Sequence, residues 1–193
     1  IDLGAHLPRR NGGAWQTCVL AACHRAMAPI ITPATLADAA GIAAIYAHHV
    51  LHGTASWEIT PPTADEMAAR MARVLGEGWP WLVARGPAGD LLGYAYAAQY
   101  NTRAGYRYAC EDSIYLRHDA LGQGIGTALL AALIDACEAW GFRQMIAGIA
   151  GSEPASMALH ARAGFAEVAR LRSVGRKHGQ WLDVIYMQRA LGL

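Results

Sequence analysis

No stretch of about 18 uninterrupted apolar residues occurs in this chain, which excludes a membrane-spanning helix. Charge excess is missing too. The 193 residues hold 16 Lys or Arg against 15 Asp or Glu, a formal net charge of +1, so the basic stripe of a nucleic-acid binder is absent. Cysteine is scarce: Cys18, Cys23, Cys110 and Cys137 form no C-x-x-C pair, and no histidine stands at zinc-finger spacing from them. Neither a disulfide scaffold nor a structural zinc site is expected, and the thiols read as free, mostly buried groups of a reducing, cytoplasmic compartment. His48, His49 and His52 lie close together, but no neighbouring carboxylate or cysteine completes a ligand set and no H-E-x-x-H occurs. They read as surface or pocket-lining groups, and no metal is expected. Internal repeats, linkers and low-complexity runs are absent as well. What the chain does have is apolar content, 54% of its residues. That excludes disorder and suits one compact domain burying roughly 70% of its unfolded surface.

Residues 1–28 differ from the rest, being polar and glycine-containing at first and only mildly apolar afterwards. They read as an N-terminal extension of unknown role ahead of a single domain at 29–193. From Ile30 the signals become regular. Ile30–Thr32 reads as a short strand, and Thr35 opens a helix to about Leu51. The capping box Thr63-Ala64-Asp65-Glu66 starts a second helix to about Glu77, and its stripe of Met67, Met71, Val74 and Leu75 is core. The turn at residues 86–90 joins two strands into an antiparallel hairpin. Residues 108–117 form a further strand, and a glycine-rich turn leads into a helix from about Gly124 to Trp140, ended by Gly141. A strand at 144–149, a short helix at 154–163 and strands at 165–174 and 181–187 complete the order. It predicts an α/β (α+β) fold, a mixed and mostly antiparallel twisted sheet of about seven strands flanked by about four helices.

The most informative stretch is residues 114–129, IYLRHDALGQGIGTAL. A strand runs into Gly122-Gln123-Gly124-Ile125-Gly126 and the helix follows at once. Glycines let the backbone approach a ligand without Cβ obstruction, and the helix N-terminus offers unpaired N–H groups to a pyrophosphate. The antiparallel elements before the turn speak against a dinucleotide-binding Rossmann unit. The loop resembles motif A of the GNAT acetyltransferases, Gln/Arg-x-x-Gly-x-Gly/Ala, with Leu121 in place of the leading Gln or Arg. Residues 153–165 resemble that superfamily's second coenzyme-side segment. Ser156, Leu159, His160, Gly164 and Phe165 match it, and Glu153 stands where Asn is usual. Residues 80–84, 103–111 and 175–184 are similar to the phosphinothricin N-acetyltransferase-like branch, which also holds methionine sulfoximine and sulfone acetyltransferases. The last of these, G-x-K-H-G-x-W-x-D-V, is highly specific to it. The resemblance spans about residues 30–191.

The resemblance implies a GNAT fold, acetyl-CoA as co-substrate, a small amino-acid acceptor and a homodimer, with no nucleic acid or membrane partner. It assigns the coenzyme to the amides of Gly122, Gln123, Gly124, Ile125, Gly126 and Thr127, with Glu153 and Ser156 alongside. The strand edge at Ile114, Tyr115 and Leu116 would offer N–H groups to the thioester oxygen. Glu111, at the position of the branch's general base, would take the ammonium proton; Asp112 is expected on the opposite strand face. His160 stands where many members carry a tyrosine that protonates the leaving thiolate. Arg103 would bind the acceptor's anionic head through its fork, with Tyr106, Trp57 and Lys177 as pocket walls; Arg107 reads as solvated. The expected reaction is acetyl transfer to the α-amine of a glutamate-analogue-like amino acid. A protein N-terminus or a polyamine as acceptor, or a non-catalytic acyl-CoA sensor, remain open at this level.

Overall fold

A computed structural model describes residues 29–192; the N-terminal extension at 1–28 lies outside the described residues. Seven strands form one sheet: β1 (Ile30–Pro33), β2 (Trp81–Arg85), β3 (Leu91–Gln99), β4 (Ala109–Leu116), β5 (Gln144–Ala150), β6 (Ala166–Lys177) and β7 (Gln180–Ala190). Their order is β1-β2-β3-β4-β5-β7-β6. The β4–β5 pair is parallel and its neighbours are antiparallel. Four α-helices cover the sheet: α1 (Ala39–His52), α2 (Ala64–Gly76), α3 (Ile125–Trp140) and α4 (Pro154–Arg162).

Strand alternation divides the core in two. Leu82, Ala95, Ala97 and Cys110 turn to one face and pack under α3, against Leu129, Leu130, Leu133 and Cys137. Trp81, Val83 and Tyr94 turn to the other face, against Ile42, Met67, Met71 and Val74 of α1 and α2. Local chemistry explains the helix ends. The Thr63 hydroxyl accepts from the Glu66 N–H at 3.2 Å, and the Glu66 carboxylate accepts from the Thr63 N–H at 2.7 Å, which is the capping box read from the sequence. Gly141, at φ +109, closes α3 with its N–H on the Cys137 and Glu138 carbonyls.

Two elements depart from the sequence reading. The first helix begins as a 3-10 turn over Leu36–Asp38 before α1 proper, because the Asp38 carboxylate accepts from the Thr35 N–H at 2.8 Å and tightens the entry. β6 does not stop at 174. Its register slips between Leu171 and Gly175, and pairing then resumes as far as Lys177 opposite Gln180. Ser173, at φ +51, takes up the extra length with its N–H on Asp183 Oδ1 at 2.9 Å. A bulge thus reads in sequence as a strand end. The hairpin tip has positive φ at both His178 and Gly179, the geometry of a tight two-residue turn.

Candidate active site

Strands β4 and β5 pair only from Ala109–Gln144 to Glu111–Ile146. Beyond that point they diverge, and the edge of β4 from Asp112 to Leu116 has no β5 partner. Alternation sends Glu111 to the α1–α2 face and Asp112 to the α3–α4 face. Glu111 is half-buried and lies beside Gly148 on β5, an exposed glycine whose added Cβ would come within 3.0 Å of Glu111 Oε1. Burial, and then the charge of Asp112, raise the Glu111 pKa above its ordinary value.

On the other face, His160 of α4 meets Asp112. His160 Nε2 lies 3.0 Å from Asp112 Oδ2, and Nδ1 lies 2.8 Å from the Ser156 carbonyl oxygen. Both side chains are almost fully buried, at 2% and 1% exposure. They wall a cavity of about 60 Å³ in the divergence, together with Ser113, Ile114, Glu153 and Ser156. Burial works to lower the His160 pKa, but the hydrogen bond and charge of Asp112, with the Ser156 carbonyl, outweigh it and leave the pKa raised.

A larger cleft of about 460 Å³ adjoins this cavity. Ile114, Tyr115 and Leu116 line one side of it, Gly122, Gly124, Ile125, Gly126 and Thr127 its floor, and Glu153, Ser156 and Arg162 the far wall. Gly122 and Gly124 have φ of +74 and +79, and a Cβ on either would meet no protein atom within 4 Å. The backbone is therefore bare towards the cleft. Gly124 is also the N-cap of α3 and supplies no side-chain cap, so the first-turn N–H groups remain available to an anion. Gln123 differs from its neighbours, since its side-chain amide turns back to the Asp119 carbonyl at 3.3 Å. Bare backbone, an uncapped helix end and an unpaired strand edge along one cleft fit a pyrophosphate joined to an extended amide-bearing arm.

The family model for the GNAT acetyltransferase domain matches residues 31–186. The chain belongs to the GNAT acetyltransferase family. Its relatives include the phosphinothricin N-acetyltransferase of Alcaligenes faecalis, 52% identical over 155 residues, 80% of this chain and 78% of that one. A methionine sulfoximine and methionine sulfone acetyltransferase of Pseudomonas aeruginosa is 40% identical over 162 residues, 84% of this chain and 94% of that one. Among solved structures, a phosphinothricin acetyltransferase from Sinorhizobium meliloti, determined in complex with acetyl-CoA, superposes with a TM-score of 0.84. It is 47% identical and covers 86% of this chain and 90% of its own.

On the acceptor side of this GNAT chain the candidates are spread out. Arg103 is exposed on the β3–β4 loop, its backbone N–H donating to Asn101 Oδ1 at 3.1 Å. Tyr106 stands edge-on to Tyr100, with centroids 6.0 Å apart. Arg107 sits over the Tyr108 ring at 4.4 Å. Trp57, 40% exposed, lies directly over the Cα of Gly175, where any larger residue would collide with its ring. Lys177 is 4% exposed and donates to the Ser56 and His49 carbonyls at 2.5 and 3.4 Å, pinning the α1–α2 loop to β6. His49 is pocket-lining, with Nε2–H donating to the Leu116 carbonyl at 2.7 Å. His48 stacks on His118 at 4.4 Å.

Sequence reasoning passed over several groups at the site. Glu58 takes a two-pronged ion pair from Arg70 at 2.6 and 3.0 Å and also accepts from the Tyr46 hydroxyl at 2.9 Å. With Tyr96 and Trp81 these line a cavity of about 250 Å³ on the Glu111 face of the sheet. Thr54 bridges from the α1–α2 loop to Glu153, its hydroxyl donating at 2.6 Å. No local pattern announces these pairs, because their members lie 12 and 99 residues apart. Asp112 was set aside because strand alternation puts it opposite Glu111; its face is the one on which His160 of α4 meets it.

Proposed function

We propose that the chain transfers the acetyl group of acetyl-CoA to the α-amine of a small amino acid of the phosphinothricin or methionine sulfoximine type. The observation that carries this reading is the position of Glu111, at the last paired residue before the strands diverge, on the strand whose unpaired continuation, Ile114–Leu116, lines a cleft floored by bare glycine backbone. The acetyl-CoA bound to the Sinorhizobium relative and the acceptors for which the Alcaligenes and Pseudomonas relatives are named support it.

Each requirement of acyl transfer to an amine finds a group in this chain. The amides of residues 122–127 at the α3 N-terminus would hold the pyrophosphate, where the helix field favours negative charge. The unpaired edge at Ile114–Leu116 would offer N–H groups to the thioester carbonyl as negative charge develops there. Glu111 would accept the ammonium proton, directly or through water. Its raised pKa makes the carboxylate a better base than a solvated one. His160 is the candidate proton donor to the departing sulfur. Arg103, on its exposed loop, would pair with the acceptor's carboxylate or phosphinate, with Tyr106 and Trp57 flanking.

The protein would act as a homodimer. β6 is an edge strand on which Val168, Leu171 and Val174 are exposed, and Trp181 of β7, opposite Arg176, is 65% exposed. Such an apolar strip suits a second copy.

Free-thiol release from acetyl-CoA, measured against phosphinothricin, methionine sulfoximine, methionine sulfone, polyamines and N-terminal peptides, tests the reading. Saturable turnover on the first three is expected. Turnover confined to polyamines or peptides would overturn it.

A further inference from the structure

The Asp112–His160 pair has a proton inventory that its hydrogen bonds dictate. The Ser156 carbonyl can only accept, so the Nδ1 facing it at 2.8 Å must carry a hydrogen. Nε2 faces Asp112 Oδ2 at 3.0 Å, and one further hydrogen must lie between them. Without it, a ring lone pair would face a carboxylate lone pair in a place that water does not screen. The pair therefore holds one proton more than a neutral histidine beside an ionised aspartate. An isolated histidine at 2% exposure would lose its charge to desolvation.

The surroundings make Asp112 the group that decides this. Its other oxygen, Oδ1, is buried with no partner among the described residues, so nothing but the imidazole compensates the carboxylate. No lysine or arginine lines the 60 Å³ cavity, and its remaining charged group is Glu153. Glu111 on the opposite face feels the Asp112 charge, as does the Cys110 thiol, which donates to the Gln144 carbonyl at 3.5 Å. From α4, His160 brings only the Ser156 carbonyl and hydroxyl to the site. Behind the ring, Phe165 packs edge-on with centroids 5.1 Å apart and fixes its plane. Arg162 and His49 belong to the adjoining cleft.

We propose that Asp112 is a positioning residue for acetyl transfer: it fixes the ring of His160 and keeps it as an imidazolium at the wall of the cavity where the strands diverge, ready to protonate the departing sulfur. The proposal rests on the acetyltransferase reading above. In the step it describes, the amine nitrogen bonds to the acetyl carbon, the carbon–sulfur bond breaks, and its electron pair goes to sulfur. The proton that His160 Nε2 shares with Asp112 Oδ2 then passes to that sulfur across the cavity that both groups wall. The nitrogen sheds two protons in all, one before attack and one as the adduct collapses, and Glu111 relays both to solvent. The imidazole regains one from solvent, so one proton is released per turnover.

The first test needs no acceptor. In ¹⁵N NMR of the full chain, with the His160 signal assigned by its loss in His160→Gln, His160 is expected to stay doubly protonated at pH 7. In Asp112→Asn, an isosteric change, it should be neutral at pH 7 with its hydrogen on Nδ1. With a productive acceptor, Asp112→Asn should lower kcat about 10- to 100-fold, the range for losing a group that orients a functional histidine. KM for acetyl-CoA should stay within about twofold, and the high-pH limb of kcat should move to lower pH. A neutral His160 at pH 7 in the unmutated protein would overturn the proposal, whether or not Asp112→Asn folds. So would a fall in kcat with the pH limb unmoved, which is the mark of a merely structural role. If the unmutated protein turns over no acceptor, the functional reading fails by itself, and the NMR titration still decides the pair.

Discussion

The two sides of the cleft are built differently. The side proposed for the coenzyme consists of backbone: bare glycines, an uncapped helix end and an unpaired strand edge, drawn from residues 114–127 with 153–162 opposite. The side proposed for the acceptor consists of side chains from remote segments, with Trp57 over Gly175, Lys177 reaching Ser56 across 121 residues, and Arg70 paired with Glu58. On that proposal, backbone donors serve the fragment common to every acyl transfer by the family, and they do not depend on side-chain identity. Side chains on loops serve the part that varies, and one substitution re-aims them. The sheet lies between, with Glu111 and Asp112 at its parting, one for each face.

Glu111→Gln strikes where the two sides meet and carries the largest expected effect. Turnover should fall about 10²-fold or more, while acetyl-CoA binding, followed calorimetrically, stays as it was. Unchanged turnover would remove Glu111 from the chemistry. The unmutated enzyme carries a pH signature of the same group. A base must be ionised, and the Glu111 pKa is raised above 4.5. Activity should therefore fall with decreasing pH through a midpoint above 4.5, and that limb should vanish in Glu111→Gln.

A paired experiment separates the sides. Gly124→Val forces a branched residue into φ +79 and puts methyl groups over the helix end, so KM for acetyl-CoA should rise about tenfold or more with the acceptor KM little changed. Arg103→Ala should do the reverse, raising the acceptor KM about tenfold through the loss of a charge-assisted contact. Steady-state kinetics in both substrates reads both arms, and equal effects of each variant on both constants would break the division. Smallest of all is Thr63→Ala. It removes the α2 cap, far from the coenzyme, and should cost about 1 kcal/mol, a fall of about 2–4 °C in Tm by calorimetry, with kinetics unaltered.

The contrast also governs what could be read in advance. The glycine-rich turn ahead of α3 was legible because glycine at fixed spacing before a helix survives in a linear string. The place of Glu111 on the strand before that turn was legible too. His160 was placed by its motif, but its partner was not, since the pairing of Asp112 with His160 spans 48 residues and depends on α4 being laid across the divergence. The β6 bulge broke the alternation that sequence reading relies on. Arg70 and Glu58 meet only because α2 folds back on the loop after α1.

By itself, the sequence determined the order of strands and helices, the two apolar faces of the sheet, the Thr63 cap and the bare glycine floor. All of these depend on residue type and on periods of two or about four, which act over a single turn or strand. The tertiary structure alone decided where β4 and β5 part, that Asp112 and His160 meet as a buried pair, and that Lys177 reaches the loop after α1. Burial and the meeting of distant side chains set those outcomes. Desolvation and unscreened charge depend on what surrounds a group in space, not on what precedes it in the chain.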